Sequence, residues 1–167
     1  MDKKALVIED EACWGCKTCE VACKQENSMP DGVKLIQVDE DGPRTEDGKV
    51  HFLYRVNRCR HCEDAPCKEV CPEKAITARE DGIVILDSEL CTGCETCLQE
   101  CPYDAIAFDA KEQVARKCNL CYHRVDQGLF PACADNVCLA HCIYFDVPAE
   151  IEKILAEKMD VRSGKNA

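Results

Sequence analysis

An α+β fold is predicted, with two small lobes in which short β-hairpins and short helices surround groups of cysteines. Three observations predict it. Seventeen of the 167 residues are cysteine, gathered into four runs. Between the runs lie short alternating segments around glycine-containing turns, which read as hairpins. Leu, Ile, Val and Phe together make up only about 22% of the sequence, close to the roughly 20% below which an apolar core is hard to build. Apolar burial alone therefore does not suffice, and thiolate–metal bonds can supply the rest.

Residues 4–8 read as a short strand. The first run follows, Cys13-Trp14-Gly15-Cys16-Lys17-Thr18-Cys19-Glu20-Val21-Ala22-Cys23, with spacing C-x2-C-x2-C-x3-C. Gly15 lets the backbone approach whatever the thiols hold. No proline follows Cys23, so a short helix is expected to run on through Lys24-Gln25-Glu26-Asn27. Trp14 is expected to pack against the fold. Residues 33–38 and 49–56 alternate, with Val50, Phe52, Tyr54 and Val56 on one face. The acidic stretch 39–48 is expected to be a turn-rich loop at the tip of this long hairpin. It suits a solvated tip and a docking arm for a partner equally.

The second run is Cys59-Arg60-His61-Cys62-Glu63-Asp64-Ala65-Pro66-Cys67-Lys68-Glu69-Val70-Cys71-Pro72, spaced C-x2-C-x4-C-x3-C-P. A hairpin is predicted after it, from Ala75–Thr77 to Ile83–Leu86 around Gly82. The third run, Cys91 to Pro102, has Cys91, Cys94, Cys97 and Cys101 spaced C-x2-C-x2-C-x3-C-P. That is the bacterial ferredoxin spacing for a [4Fe–4S] cubane. Pro102 stops helical continuation. Ala105–Phe108 and Gln113–Arg116 form an equivalent hairpin, so residues 57–116 are an internal repeat. The fourth run opens with Cys118-Asn119-Leu120-Cys121 and continues with Cys133, Cys138 and Cys142. Asp146 can cap a last helix with Pro148 in its first turn. Ile151, Ile154, Leu155 and Met159 recur at helical spacing and are expected to pack on the helix's own lobe. The tail from Ser163 is expected to fray.

In the ferredoxin spacing the fourth cysteine ligates the other cluster of a pair. Cys59, Cys62 and Cys67 should thus take Cys101, and Cys91, Cys94 and Cys97 should take Cys71. The outer runs pair likewise. Cys118, Cys121 and Cys133 should take Cys23, and Cys13, Cys16 and Cys19 should take a cysteine of the last run. Residues 58–116 then form an inner lobe. Residues 1–57 and 117–167 form an outer lobe, with an inserted hairpin and a C-terminal helix.

A disulfide scaffold is disfavoured by the odd cysteine count. The start of the sequence has no long apolar run and no twin arginine, and no stretch approaches the roughly 20 apolar residues of a membrane span. The expected location is cytoplasmic, where thiols stay reduced. The net charge is −11 and the isoelectric point about 4.8, which excludes a basic nucleic-acid surface. A Gly-rich phosphate loop, a haem-attachment run and a nucleophile elbow are all missing from the sequence. His61 stands between two cysteines and can tune a cluster, although it and His51, His123 and His141 read better as surface or packing residues.

The layout resembles the four-cluster iron–sulfur subunits of molybdenum and tungsten oxidoreductases of the dimethyl sulfoxide reductase type. The resemblance covers about residues 5–146 and is carried by Cys13–Cys23, Arg58-Cys59-Arg60-His61-Cys62, Cys91–Tyr103, and Lys117-Cys118-Asn119-Leu120-Cys121 with Gly128 and Pro131-Ala132-Cys133. It implies several [4Fe–4S] clusters, four or three, that relay electrons. It also implies two partners, a large tungsten- or molybdenum-pterin catalytic subunit and a further electron-transfer protein. The short, acidic form with Cys13-Trp14-Gly15-Cys16-Lys17-Thr18-Cys19 looks most like small subunits of tungsten enzymes, and overall likeness puts class II benzoyl-CoA reductase ahead of tungsten aldehyde oxidoreductase. The family usually closes its last run with C-x3-C-P, whereas here Cys138 and Cys142 both lack the proline. The trailing Ile143-Tyr144-Phe145-Asp146 favours Cys138 as the ligand and leaves Cys142 spare. Zinc in that last site is an alternative. A free-standing ferredoxin and a zinc-stabilised interaction module are the competing functions.

Overall fold

The computed structural model describes residues 3–134 and 136–162. The tail from Ser163, expected to fray, lies outside them. Among the described residues, four two-stranded antiparallel ladders hold the protein together between its cysteine loops. β1 (Ala5–Ile8) pairs with β8 (Ile143–Asp146) in the register Ala5↔Asp146 to Ile8↔Ile143, so segments near the two ends of the sequence lie side by side. β2 (Ile36–Glu46) pairs with β3 (Lys49–Arg58), β4 (Ile76–Ala78) with β5 (Val84–Leu86), and β6 (Ile106–Asp109) with β7 (Val114–Lys117). Short helices punctuate them: α1 (Thr18–Glu26), α2 (Pro66–Glu69), α3 (Thr96–Gln99), α4 (Tyr122–Val125) and the longer α5 (Pro148–Arg162). This is the small α+β ferredoxin-like content that the cysteine spacing predicts.

The helices follow from the runs. Cys19 and Cys23 lie in α1, Cys67 in α2 and Cys97 in α3. α2 opens on Pro66, whose fixed φ suits a first helical residue. A tie outside the cysteine loops is Arg79, which pairs with Asp126 at 2.5 Å and with Asp81 at 2.9 Å. It joins the end of β4 to the end of α4.

Apolar burial falls into two groups. One holds Leu6, Val33, Leu35, Ile36, Val38, Val56, Ile83 and Phe145 with seven cysteines. The other holds Ala65, Ile76, Val84, Ile106 and Ala115 with Cys67 and Cys97. Cysteine sulfur thus supplies much of both cores, as the low aliphatic content requires.

Three expectations are corrected. Residues 39–46 are strand, because β2 continues to Glu46 with a bulge between Asp41 and Arg44. The turn is the pair Asp47-Gly48, both at positive φ, 50° and 73°, as a two-residue hairpin turn of the mirror-image type demands. Trp14 does not pack, since it is 67% exposed. α5 starts one residue beyond a cap at Asp146, whose carboxylate accepts the Val147 N–H at 2.8 Å instead. On α5, Ile151 is buried whereas Ile154 and Met159 are exposed. The helix packs on its own protein through Ile151, with Leu155 and Lys158 half-buried on the same face, and Ile154 and Met159 fall outside that stripe.

Candidate iron–sulfur sites

A common backbone shape presents the first two thiols of each run. The second residue after the first cysteine is left-handed in all four runs: Gly15 (φ 67°), His61 (50°), Gly93 (70°) and Leu120 (52°). This turns backbone N–H groups toward sulfur. Gly15 N–H donates to Cys13 Sγ at 3.5 Å, His61 N–H to Cys59 Sγ at 3.4 Å and Leu120 N–H to Cys118 Sγ at 3.4 Å. Ala115 N–H donates to Cys91 Sγ, and Ala105 N–H to Cys101 Sγ, both at 3.4 Å. Such donors favour the thiolate over the thiol.

The inner sites are two apolar cavities. One is lined by Cys59, Cys62, Cys67 and Cys101 with Ala65, Val84 and Ile106. The other is lined by Cys71, Cys91, Cys94 and Cys97 with Ile76, Leu86 and Ala115. The fold therefore brings together the residues that the exchange of fourth cysteines pairs. Cys101 reaches back to the second run's cavity, and Cys71 reaches forward to the third's.

Two outer groups follow. Cys133 feels the charges of Cys118, Cys23 and Cys121. The Asn27 amide nitrogen lies 3.6 Å from Cys23 Sγ and 3.9 Å from Cys121 Sγ and bridges them. Asn119 donates to Asn27 Oδ1 at 3.0 Å and holds it there. In the last group Cys19 feels Cys13 and Cys138, and Cys142 feels Cys138 and Cys13. The Thr18 hydroxyl donates to the Val137 carbonyl at 2.9 Å, which fastens this loop to α1. Cys138 Sγ and Cys142 Sγ are 3.5 Å apart, and Cys138 Sγ accepts the Cys142 N–H at 3.4 Å. Both thiols that could close the first run's site thus stand beside it.

Burial sets the protonation of these groups. It pushes the Cys19 thiol up to about 12 and those of Cys97 and Cys118 to about 11. Cys23 and Cys142 are raised further, and Cys133 is raised well above its usual value, in each case chiefly by burial. The two exposed thiols move the other way. Cys16 is lowered, mainly by the Thr18 hydroxyl, and Cys94 by the Thr96 N–H. His61 accepts the Val84 N–H at Nδ1 at 3.0 Å, and burial with Lys117 and Arg58 nearby drives it down to about 2. It is a neutral packing residue.

Four sulfurs around an apolar void fit an iron–sulfur cubane. The groups also neighbour one another. Cys19 neighbours Cys23 and Cys133, Cys118 neighbours Cys59, and Cys97 neighbours Cys67. These neighbours order the groups as the first run's, the fourth's, the second's and the third's. The exposed cysteines, Cys16 and Cys94, belong to the first and the last of that order. Sequence reasoning missed this order, and it missed Asn27, Arg58 and Lys117. The basic residue just before Cys59 and Cys118 was the available signal for the last two.

Comparison with known proteins agrees with the cysteine chemistry. A family of 4Fe-4S dicluster domains matches residues 50–147, and another of the same description matches residues 12–76. One component of the polysulfide reductase of Wolinella succinogenes is 41% identical, over 97% of this sequence and 88% of that protein. One component of the tetrathionate reductase of Salmonella typhimurium is 40% identical, over 79% of this sequence and 53% of its own length. The thiosulfate reductase electron transfer subunit of Salmonella typhi is 35% identical, over 95% and 87%.

Proposed function

Because this protein belongs to the 4Fe-4S dicluster family that includes these reductase components, we propose that it relays single electrons to or from a molybdenum- or tungsten-pterin catalytic subunit. The dicluster domains and the cysteine content give [4Fe–4S] as its cofactor, and the four cysteine groups account for four clusters. Each bound cluster supplies a one-electron couple. The observation that carries the reading is the order of neighbouring cysteine groups, with an exposed thiol in the first and in the last, Cys16 and Cys94. Such an order has an entrance, an exit and a buried middle, which suits a conductor between two partners.

The ligand sets are assigned accordingly: Cys13, Cys16, Cys19 and Cys138; Cys118, Cys121, Cys133 and Cys23; Cys59, Cys62, Cys67 and Cys101; Cys91, Cys94, Cys97 and Cys71. Cys138 is preferred to Cys142 because its sulfur accepts a backbone N–H, as do Cys13, Cys59, Cys91, Cys101 and Cys118. The pairing of β1 with β8 supports an outer lobe of residues 1–57 with 117–167 around an inner lobe of 58–116. Among the described residues no helix is long and apolar enough to cross a membrane. We place the protein in the cytoplasm, where thiols stay reduced and free to take up iron, and cell fractionation tests that.

For the substrate of the complex, the names of the relatives favour a reduced or oxidised sulfur compound. As a second reading, the overall likeness of this short, acidic sequence to small subunits of tungsten enzymes supports class II benzoyl-CoA reductase, or tungsten aldehyde oxidoreductase. Co-purification identifies the catalytic subunit and separates these. The catalytic subunit is then assayed with its natural electron partner, with and without this protein. Slow exchange without it is expected. Equal rates alone and in complex would defeat the relay and favour a free-standing ferredoxin.

A further inference from the structure

Two buried cations stand where the two middle sites meet. Arg58 directly precedes Cys59, and Lys117 directly precedes Cys118. Arg58 is 5% exposed and Lys117 is 4% exposed. Each turns back on its own run, Arg58 Nη1 donating to the Cys59 carbonyl at 2.7 Å and Lys117 Nζ to the Cys118 carbonyl at 2.9 Å. Their remaining partners are the Leu6 carbonyl for Arg58 and the Val84 carbonyl for Lys117. Val84 also donates its N–H to His61, so one strand residue clamps the junction from both sides.

Every one of these acceptors is a neutral carbonyl. Among the described residues neither cation has a carboxylate within ion-pair distance, although the protein carries 32 acidic residues. A buried charge without a counter-charge is costly. The anions that face these two are sulfur. Arg58 faces Cys118, Cys133 and Cys59, with Arg60 as an opposing cation. Lys117 faces Cys118 and Cys67. These thiols belong to the two middle groups. The end groups have no equivalent at the same position, because Ala12 precedes Cys13 and Leu90 precedes Cys91.

We infer that Arg58 and Lys117 are built-in counter-cations of the two middle clusters, holding both at higher reduction potential than their thiolate ligands alone would give. A fixed positive charge favours the more negative, reduced form of a neighbouring couple, and net charge is one of the factors that set cluster potentials. With a net charge of −11 on the protein, such buried cations oppose the field of the surface. The inference rests on the ligand sets proposed above.

The test is a potentiometric titration of the full-length protein, carrying its clusters, followed by electron paramagnetic resonance. Wild type is compared with R58Q and K117Q and with the charge-keeping R58K and K117R. Two of the four midpoints should fall in each neutral variant, the other two should stay, and the charge-keeping variants should match wild type. Full iron content with all midpoints unmoved in R58Q and K117Q overturns the inference, and so does a fall confined to the other two clusters. Where a neutral variant loses iron, recovery of iron in its charge-keeping counterpart supports the counter-cation role. Equal loss in both means that shape, not charge, is at stake, and overturns it. Wild-type protein without cubane iron would instead overturn the site assignment itself.

Discussion

Cys101 sits in the run of Cys91, Cys94 and Cys97, but its sulfur lines the cavity of Cys59, Cys62 and Cys67. Cys101→Ala should therefore bleach the resonance of the cluster held by the second run and leave that of its sequence neighbours. Anomalous density that bonds Cys101 to the cubane of Cys91 would reverse the pairing. That pairing was legible in the sequence, because spacing dictates which thiols can close one cluster. The left-handed positions were legible only where they are glycine, at Gly15 and Gly93. At His61 and Leu120 the same conformation is imposed by the run, against residue preference. Gly15 and Gly93 should also differ in tolerance. A Cβ on Gly93 would lie 2.3 Å from the Gln113 carbonyl oxygen, which is backbone and cannot swing away. A Cβ on Gly15 would lie 2.3 Å from the Tyr54 ring, a half-buried side chain that can shift where a backbone carbonyl cannot. Gly93→Ala is expected to cost the third run's cluster, whereas Gly15→Ala should keep its iron. Iron counts per molecule decide this, and equal losses would contradict it.

The hairpin of β2 and β3 and the last helix show what patterning does and does not reveal. Alternation located both strands, but the acidic, Gly-Pro-containing stretch 39–46 hid the fact that they continue. Cross-strand pairing overrides composition there, since Asp41 meets Arg55 of β3 at 3.6 Å, and Arg44 on its own strand meets it at 2.6 Å across the bulge. The dipeptide Asp47-Gly48 was the usable signal for the true turn. On α5 the helical period was visible, yet period alone does not say how many of its apolar residues find a neighbour. Ile151 is 2% exposed, and Lys158 reaches the Tyr144 hydroxyl at 2.6 Å and the His141 carbonyl at 2.7 Å. Ile154 and Met159 face solvent. Ile151→Ala should destabilise the protein by about 2–5 kcal/mol, the range for an aliphatic core truncation. Ile154→Ala and Met159→Ala should stay within about 0.5 kcal/mol, as exposed substitutions do. Denaturant midpoints of the loaded protein measure both, and a costly Met159→Ala would mean that this helix face is packed rather than open to solvent.

At the scale of the whole molecule, the spatial order of the sites was hidden because it comes from contacts between runs far apart in sequence. Cys118 meeting Cys59 is an example. The same contacts make the fold depend on what the cysteines hold. Nine cysteines sit inside the two apolar groups, so sulfur replaces the side chains an ordinary core would use. Ladders of two strands each add little, since isolated two-stranded ribbons are marginal in water. Arg58 and Lys117 sharpen the dependence. Without metal-bound thiolates nearby, burial-raised thiols such as Cys118 are protonated at neutral pH. Both buried cations then lose their counter-charge, and breaking a buried pair from one side costs about 3–5 kcal/mol. Domains of this size are typically stable by only about 5–15 kcal/mol in all. Chelating or oxidatively destroying the iron should therefore unfold the protein. Far-ultraviolet circular dichroism and iron content, followed together through a chelator titration, should fall in parallel. An apo form that keeps its spectrum and unfolds cooperatively would show that the polypeptide, and not its thiolate–metal bonds, holds the fold.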